Sequence, residues 1–157
     1  MSSFRLVGLP AENFESLFAL SDAELAARGA RRVVADEAFS FPCRVSLDDA
    51  EVGDELLLLP VEHLPTRSPY RASGPVFVRR GTRQSVLEAG QIPPCVARRG
   101  MSVRAYDADD MMVAADLCDG TDVRGVIERF MGDPQVAFIH LHNARRGCYA
   151  CRVERVG

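Results

Sequence analysis

The sequence predicts an α+β fold: a largely antiparallel curved sheet or partial barrel with helices packed on one side, in a single domain over residues 1–157. Three observations predict it. Segments that read as strands outnumber those that read as helices. Most of the strands are joined by short turns, the connection that antiparallel neighbours use. No repeat, linker or low-complexity stretch divides the chain, and 157 residues with 47% hydrophobic content suffice for one core.

Residues 4–7 read as a short strand, and Leu9-Pro10 opens a helix whose Phe14, Leu17 and Phe18 share a face. Ser21 and Glu24 fit a capping box for a helix over 22–28, with Gly29 as its stop. Strands follow at 31–35 and 41–47, a turn at Gly53-Asp54, and the apolar strand 56–59. Four prolines (Pro60, Pro65, Pro69, Pro75) predict a long loop over 60–75. Strand 76–80, a weak helix near 83–89 and a helical turn from Pro93-Pro94 to Gly100 come next. Strands 101–106 and 111–118 flank the turn at 107–110. Thr121 is expected to cap a helix ending at Met131, and 135–142 with 148–155 form a closing hairpin. This reading buries Leu17, Phe18, Leu25, Val45, Leu57, Leu59, Val103, Val113, Val126, Ile127, Phe130 and Ile139.

The net charge of −3 argues against general nucleic-acid binding, which uses a basic surplus. All nineteen basic residues are Arg, four pairs of them adjacent (31–32, 79–80, 98–99, 145–146). Arg offers forked donors to carboxylate or phosphate, but a chain with no Lys also reads as coding bias, so Arg abundance is discounted. No apolar run approaches the ~18 residues of a membrane span. The first residues lack signal-peptide features, and five cysteines cannot pair completely; both lead to an expected cytoplasmic location.

Chemistry concentrates in Phe138–Asn143. On a strand His140 and His142 share a face, a sound start for a metal site if His63 or a cysteine supplies a third ligand. The plainer reading makes one His structural and lets the other cap the loop. A hairpin loop of three or five residues would put Cys148 beside His142 as an activated nucleophile; a loop of four would instead put Tyr149 and Cys151 on the histidine face. Cys148 and Cys151 spell C-x-x-C, but on a regular strand they leave opposite faces, so no disulfide is expected. The aspartates at 107, 109, 110 and 116 fail the calcium-loop spacing; Asp107 is retained only to orient a neighbour. Ser68, Tyr70 and Arg71 suit a polar or anionic ligand, as do Arg44, Asn143, Arg145 or Arg146, and Tyr149. Nucleotide-loop and hydrolase motifs are missing, and no cofactor is implied.

Several stretches together resemble one bacterial family, domain of unknown function 1203. They are Phe41–Arg44, Ser68–Arg71 with Gly74-Pro75, Ala105–Asp109, and His140–Ala144 with Gly147–Tyr149. The chain departs from that pattern at Asp110, where Gly is expected, and at Cys151, where Cys is not. The resemblance implies a bacterial origin and one compact domain; it implies no activity.

The expectation is therefore a small polar or anionic metabolite bound between the 63–75 loop and the 142–149 hairpin end, with Arg44, His63, Ser68, Tyr70, Arg71, Asp107, Asn143, Arg145 and Tyr149 as its contacts. The alternative is a Cys/His-based or metal-assisted hydrolase or transferase using Cys148 with His140 or His142. Oligomeric state is left open, a homodimer among the options.

Overall fold

The computed structural model describes residues 4–157. Two five-stranded sheets form, not one, and neither closes into a barrel. The first contains β1 (Phe4–Val7), β7 (Gly100–Tyr106), β8 (Met112–Asp119), β9 (Phe138–Asn143) and β10 (Tyr149–Arg155), in the order β1-β10-β9-β7-β8, all antiparallel. The second contains β2 (Arg31–Val34), β3 (Pro42–Cys43), β4 (Asp48–Asp49), β5 (Glu55–Leu64) and β6 (Ala72–Arg79), in the order β2-β5-β6-β3-β4. It is antiparallel except where Cys43 of β3 meets Phe77 of β6.

Helices are short. α1 (Asp22–Ala27) begins with the expected capping box, Ser21 Oγ accepting from the Glu24 N–H and the Glu24 carboxylate accepting from the Ser21 N–H. Gly29 ends it at φ +71°, a backbone that favours glycine. α2 (Pro94–Ala97) is a single turn. α3 (Val123–Met131) buries Val123, Val126, Ile127 and Met131, a helical stripe that packs on β7 and β8. Thr121 is not its cap: it lies inside a 3₁₀ turn, Gly120–Asp122, that leads into the helix. Phe14 and Phe18 are buried as expected, but from two 3₁₀ turns instead of a helix.

The long loop over 60–75 is largely strand. β5 continues to Leu64 and β6 starts at Ala72, with Pro60 paired to Pro75. The Arg80 N–H donates to the Glu55 carbonyl, which makes 55 and every second pair after it the hydrogen-bonded ones. Pro60 and Pro75 thus fall on a non-bonded pair, their nitrogens turned outward where β2 and β3 no longer reach. A proline there costs the ladder nothing. The 83–89 segment is no helix either. Its amides run beside the open edge of β1, Leu87 N–H donating to Leu6 O and Gly8 N–H to Ser85 O, so a sheet edge is covered. Only Pro42-Cys43 of the 41–47 strand enters a ladder.

One core lies between the first sheet and α2 and α3; another joins the second sheet, α1 and the 3₁₀ turns. Tyr149 of the first sheet packs into the second core and stitches the two together. Of the expected core, Leu17 and Phe130 are only half-buried, and Val113 is exposed on the outer face of edge strand β8.

Candidate functional site

The β9–β10 hairpin separates two chemistries. His142 pairs with Tyr149, the Asn143 N–H donates to Cys148 O, and the Gly147 N–H closes the turn on Asn143 O. Four residues, 144–147, form the loop, with Gly147 at φ +78°. His142 and Tyr149 therefore share one face, while Asn143 and Cys148 share the other. A bulge between Tyr149 and Cys151 then resets the alternation, so that Cys151 pairs with Leu141 and joins the first core. The structure thus brings Tyr149 to the histidines but neither Cys148 nor Cys151. The bulge also puts Cys148 and Cys151 on the same face, not on opposite ones, yet all five cysteines are free.

On the histidine face, His63 reaches over from β5. Its ring stacks on Tyr149 at 4.9 Å and meets His142 at 5.0 Å and His140 at 5.9 Å. His140 and His142 are buried. His142 Nδ1 lies 2.9 Å from Gly147 O; a carbonyl only accepts, so Nδ1 carries the proton and Nε2 is bare in the neutral ring. Burial is the main cause that pushes His140 down to about 3 and His142 down to about 4. For His140 the neighbouring His63 and Arg152 add to this; for His142 the Gly147 carbonyl opposes it. His63 Nδ1, His140 Nδ1 and His142 Nε2 are buried without a partner. Among the described residues, no group of three or more His, Cys, Asp or Glu side chains is placed to hold a metal ion.

On the other side a cleft of about 640 Å³ opens. The Phe39–Arg44 stretch, Leu58, Pro75–Phe77, Arg98–Gly100 and the hairpin turn line it. Five of the lining side chains are arginine (Arg44, Arg98, Arg99, Arg145, Arg146) and none is acidic. Arg98 and Arg99 are held from behind by Asp49, at 2.9 and 2.6 Å. Arg44 differs. It follows β3, its N–H donating to Phe77 O and its carbonyl accepting from Leu9 N–H. Gly8 presses against this backbone so closely that a Cβ there would lie 2.0 Å from Val45 O. The Arg44 side chain is only 3% exposed, and it makes no hydrogen bond or ion pair among the described residues. Three thiols (Cys95, Cys151, Cys148) and Arg99 lie within electrostatic reach of it. Burial pulls its pKa down, but a guanidinium stays protonated in a protein. Asn143 Oδ1, buried and without a partner, belongs to the same cleft.

The residues singled out from the sequence thus divide into three places. Arg44, Asn143, Arg145 and Cys148 line the cleft. His63, His140, His142 and Tyr149 form the ring cluster. Ser68, Tyr70, Arg71 and Asp107 lie at the far end of the first sheet, because Tyr106 pairs with Phe138 there while Met101 pairs with Asn143 here. Ser68 Oγ donates to Asp110 O, Tyr70 meets the Tyr106 ring at 6.2 Å, Arg71 pairs with exposed Glu62, and Asp107 Oδ1 accepts from turn amides. The 68–71 loop is the tip of the extended β5–β6 hairpin, so its length carries it away from the 142–149 turn. Of the 63–75 segment only Pro75 lines the cleft. Two of the four adjacent arginine pairs discounted as coding bias, 98–99 and 145–146, converge on the cleft.

The family described as "Protein of unknown function (DUF1203)" matches residues 40–155, a span that includes all but one of the cleft-lining residues. No curated protein and no solved structure matches the chain.

Proposed function

The chain belongs to the DUF1203 family, whose description assigns no activity, and from the cleft we propose that it binds a small anionic metabolite. Arg44 carries this reading. A buried charge without a partner costs several kcal/mol, and Arg cannot escape by losing its proton. An anion in the cleft supplies the missing partner, and charge-assisted bonds to a guanidinium fork are among the strong ones. Arg98 and Arg99 add oriented donors at the wall, and Arg145 and Arg146 add charge at the rim. Phe39, Pro42, Pro75 and Phe77 offer an apolar wall for a carbon body, and Asn143 Oδ1 waits for a donor on the ligand. The volume lies within the roughly 300–1,000 Å³ of small-molecule sites. Charge is concentrated here in a chain of net −3, which suits a discrete anion and not a nucleic acid.

Thermal melting tests it, with inorganic phosphate, pyrophosphate and succinate compared against chloride at equal ionic strength. An anion at about 100 times its Kd adds about 2.7 kcal/mol. For a chain of this size each kcal/mol raises Tm by roughly 2–4 °C. At least one anion should raise Tm this way in the natural protein and not in Arg44→Met. No rise with any anion, or an equal rise in the variant, overturns the reading.

A further inference from the structure

The five cysteines are not equivalent. Cys43, Cys95 and Cys151 are fully buried. Burial pushes the Cys95 thiol up to about 11, and the Cys151 thiol up as well, which keeps both inert. Cys118 and Cys148 alone are half-buried. Their surroundings carry opposite charge. Cys118, near the end of edge strand β8, lies within reach of the charges of Asp116, Asp122 and Asp119, with Arg129 opposing them. Cys148 lines the cleft with five arginines, one of them the buried Arg44, whose side chain has no hydrogen-bond or ion-pair partner among the described residues. One molecule thus holds two reachable thiols in opposite fields.

We propose that Cys148 is a thiol–disulfide exchange site selective for low-molecular-weight disulfides that carry carboxylates. This rests on the anion-binding reading: the arginines hold the charged disulfide while the thiol reacts. Cys148 loses its proton to water, and its thiolate sulfur attacks one sulfur of the disulfide. The Cys148–S bond to that half forms as the original S–S bond breaks, and the other half leaves as a thiolate. No further oxidant is required. The adduct then fills the cleft and excludes the anion, so binding is switched off by oxidised thiols and restored by a reducing one.

The test sets the two thiols against each other. The folded protein is treated with 5,5′-dithiobis(2-nitrobenzoate), a dianion, with neutral 2,2′-dithiodipyridine and with dicationic cystamine, and peptide mass mapping reads the rate at each cysteine. Charge focusing in a cleft changes encounter rates by 10-fold or more. The dianion should therefore favour Cys148 over Cys118 by at least ~10-fold relative to the neutral reagent, and cystamine should reverse the preference. Arg145→Gln with Arg146→Gln, both on the exposed turn, should shrink the preference, added phosphate should slow the dianion at Cys148, and the Cys148 adduct should lose any anion-induced rise in Tm. A Cys148:Cys118 ratio that does not depend on reagent charge overturns the proposal. If phosphate, pyrophosphate or succinate still raises Tm in that case, exchange alone falls; if none does, the anion-binding reading falls with it.

Discussion

The two faces of the β9–β10 hairpin end bury groups that could carry positive charge, and they resolve the cost differently. On one face His140 and His142 are almost wholly enclosed, and the imidazoles answer by giving up their protons. On the other, Arg44 is enclosed to the same degree and has no such option. Both faces leave polar atoms without partners, His142 Nε2 on one and Asn143 Oδ1 on the other. Only the arginine face combines this with an open cleft. Burial alone therefore does not single out a candidate site; burial of a charge that cannot be discharged, next to space, does.

Acid should break the comparison most strongly, because it forces charge onto the histidine face. Below the ordinary His value of 6.5 the unfolded chain takes up protons that native His140 and His142 refuse until about 3 and about 4. Their neutral burial thus costs nothing above pH 6.5, and stability is lost as pH falls from there toward the folded values. With two such groups the slope is about 2–3 kcal/mol per pH unit between pH 6.5 and 4. Urea unfolding at pH 7, 5.5 and 4.5 measures it, and His140→Phe should remove close to half of the slope. A flat profile over that interval contradicts the assignment of neutral buried imidazoles.

Arg44→Met sharpens the other side. Removing a buried charge that no side chain among the described residues pairs should raise the Tm of the anion-free protein, even though a donor set is lost. A lower Tm would show that the guanidinium is already neutralised. At the rim the effect should be smallest. Arg145→Gln removes an exposed charge, so stability should stay within about 0.5 kcal/mol. Phosphate affinity should fall by less than about 1 kcal/mol, measured by titration calorimetry.

Much of this end of the molecule is legible in the sequence. Period-two alternation puts His140 and His142 on one face, and the Ser21–Glu24 box appears where the spelling requires. The rest depends on non-local facts. The bulge that reunites Cys148 with Cys151 on one face is invisible to alternation. Pro60 and Pro75 read as strand breakers because nothing in their spelling tells which pair of a ladder lacks hydrogen bonds. The cleft arginines come from the residues just after β3, the end of α2 and the hairpin turn, and with no Lys in the chain their pairs look like composition. Asp110 is a case where the family-pattern departure has a structural meaning: it sits at φ +60°, where the expected Gly would be at ease and Asp is tolerated.

The pairing of β1 with β10 has a bearing on the order of assembly. The second sheet is drawn from one continuous stretch, 31–79, and its hairpins can close as soon as that stretch is available. The first sheet must wait for the ladder in which Phe4 pairs with Arg155, although the other edge of β1 already accepts from the Leu87 and Gly90 N–H groups. Gly8, directly after β1, is also what clamps the backbone that carries Arg44. That clamp uses no residue of β10: Gly8 N–H donates to Ser85 O, Ser85 N–H to Val45 O and Leu9 N–H to Arg44 O. The Arg44 wall of the cleft is thus built from residues 8–85, while Asn143 and Cys148 come from the last hairpin of the other sheet, so the cleft is complete only when the two sheets have met.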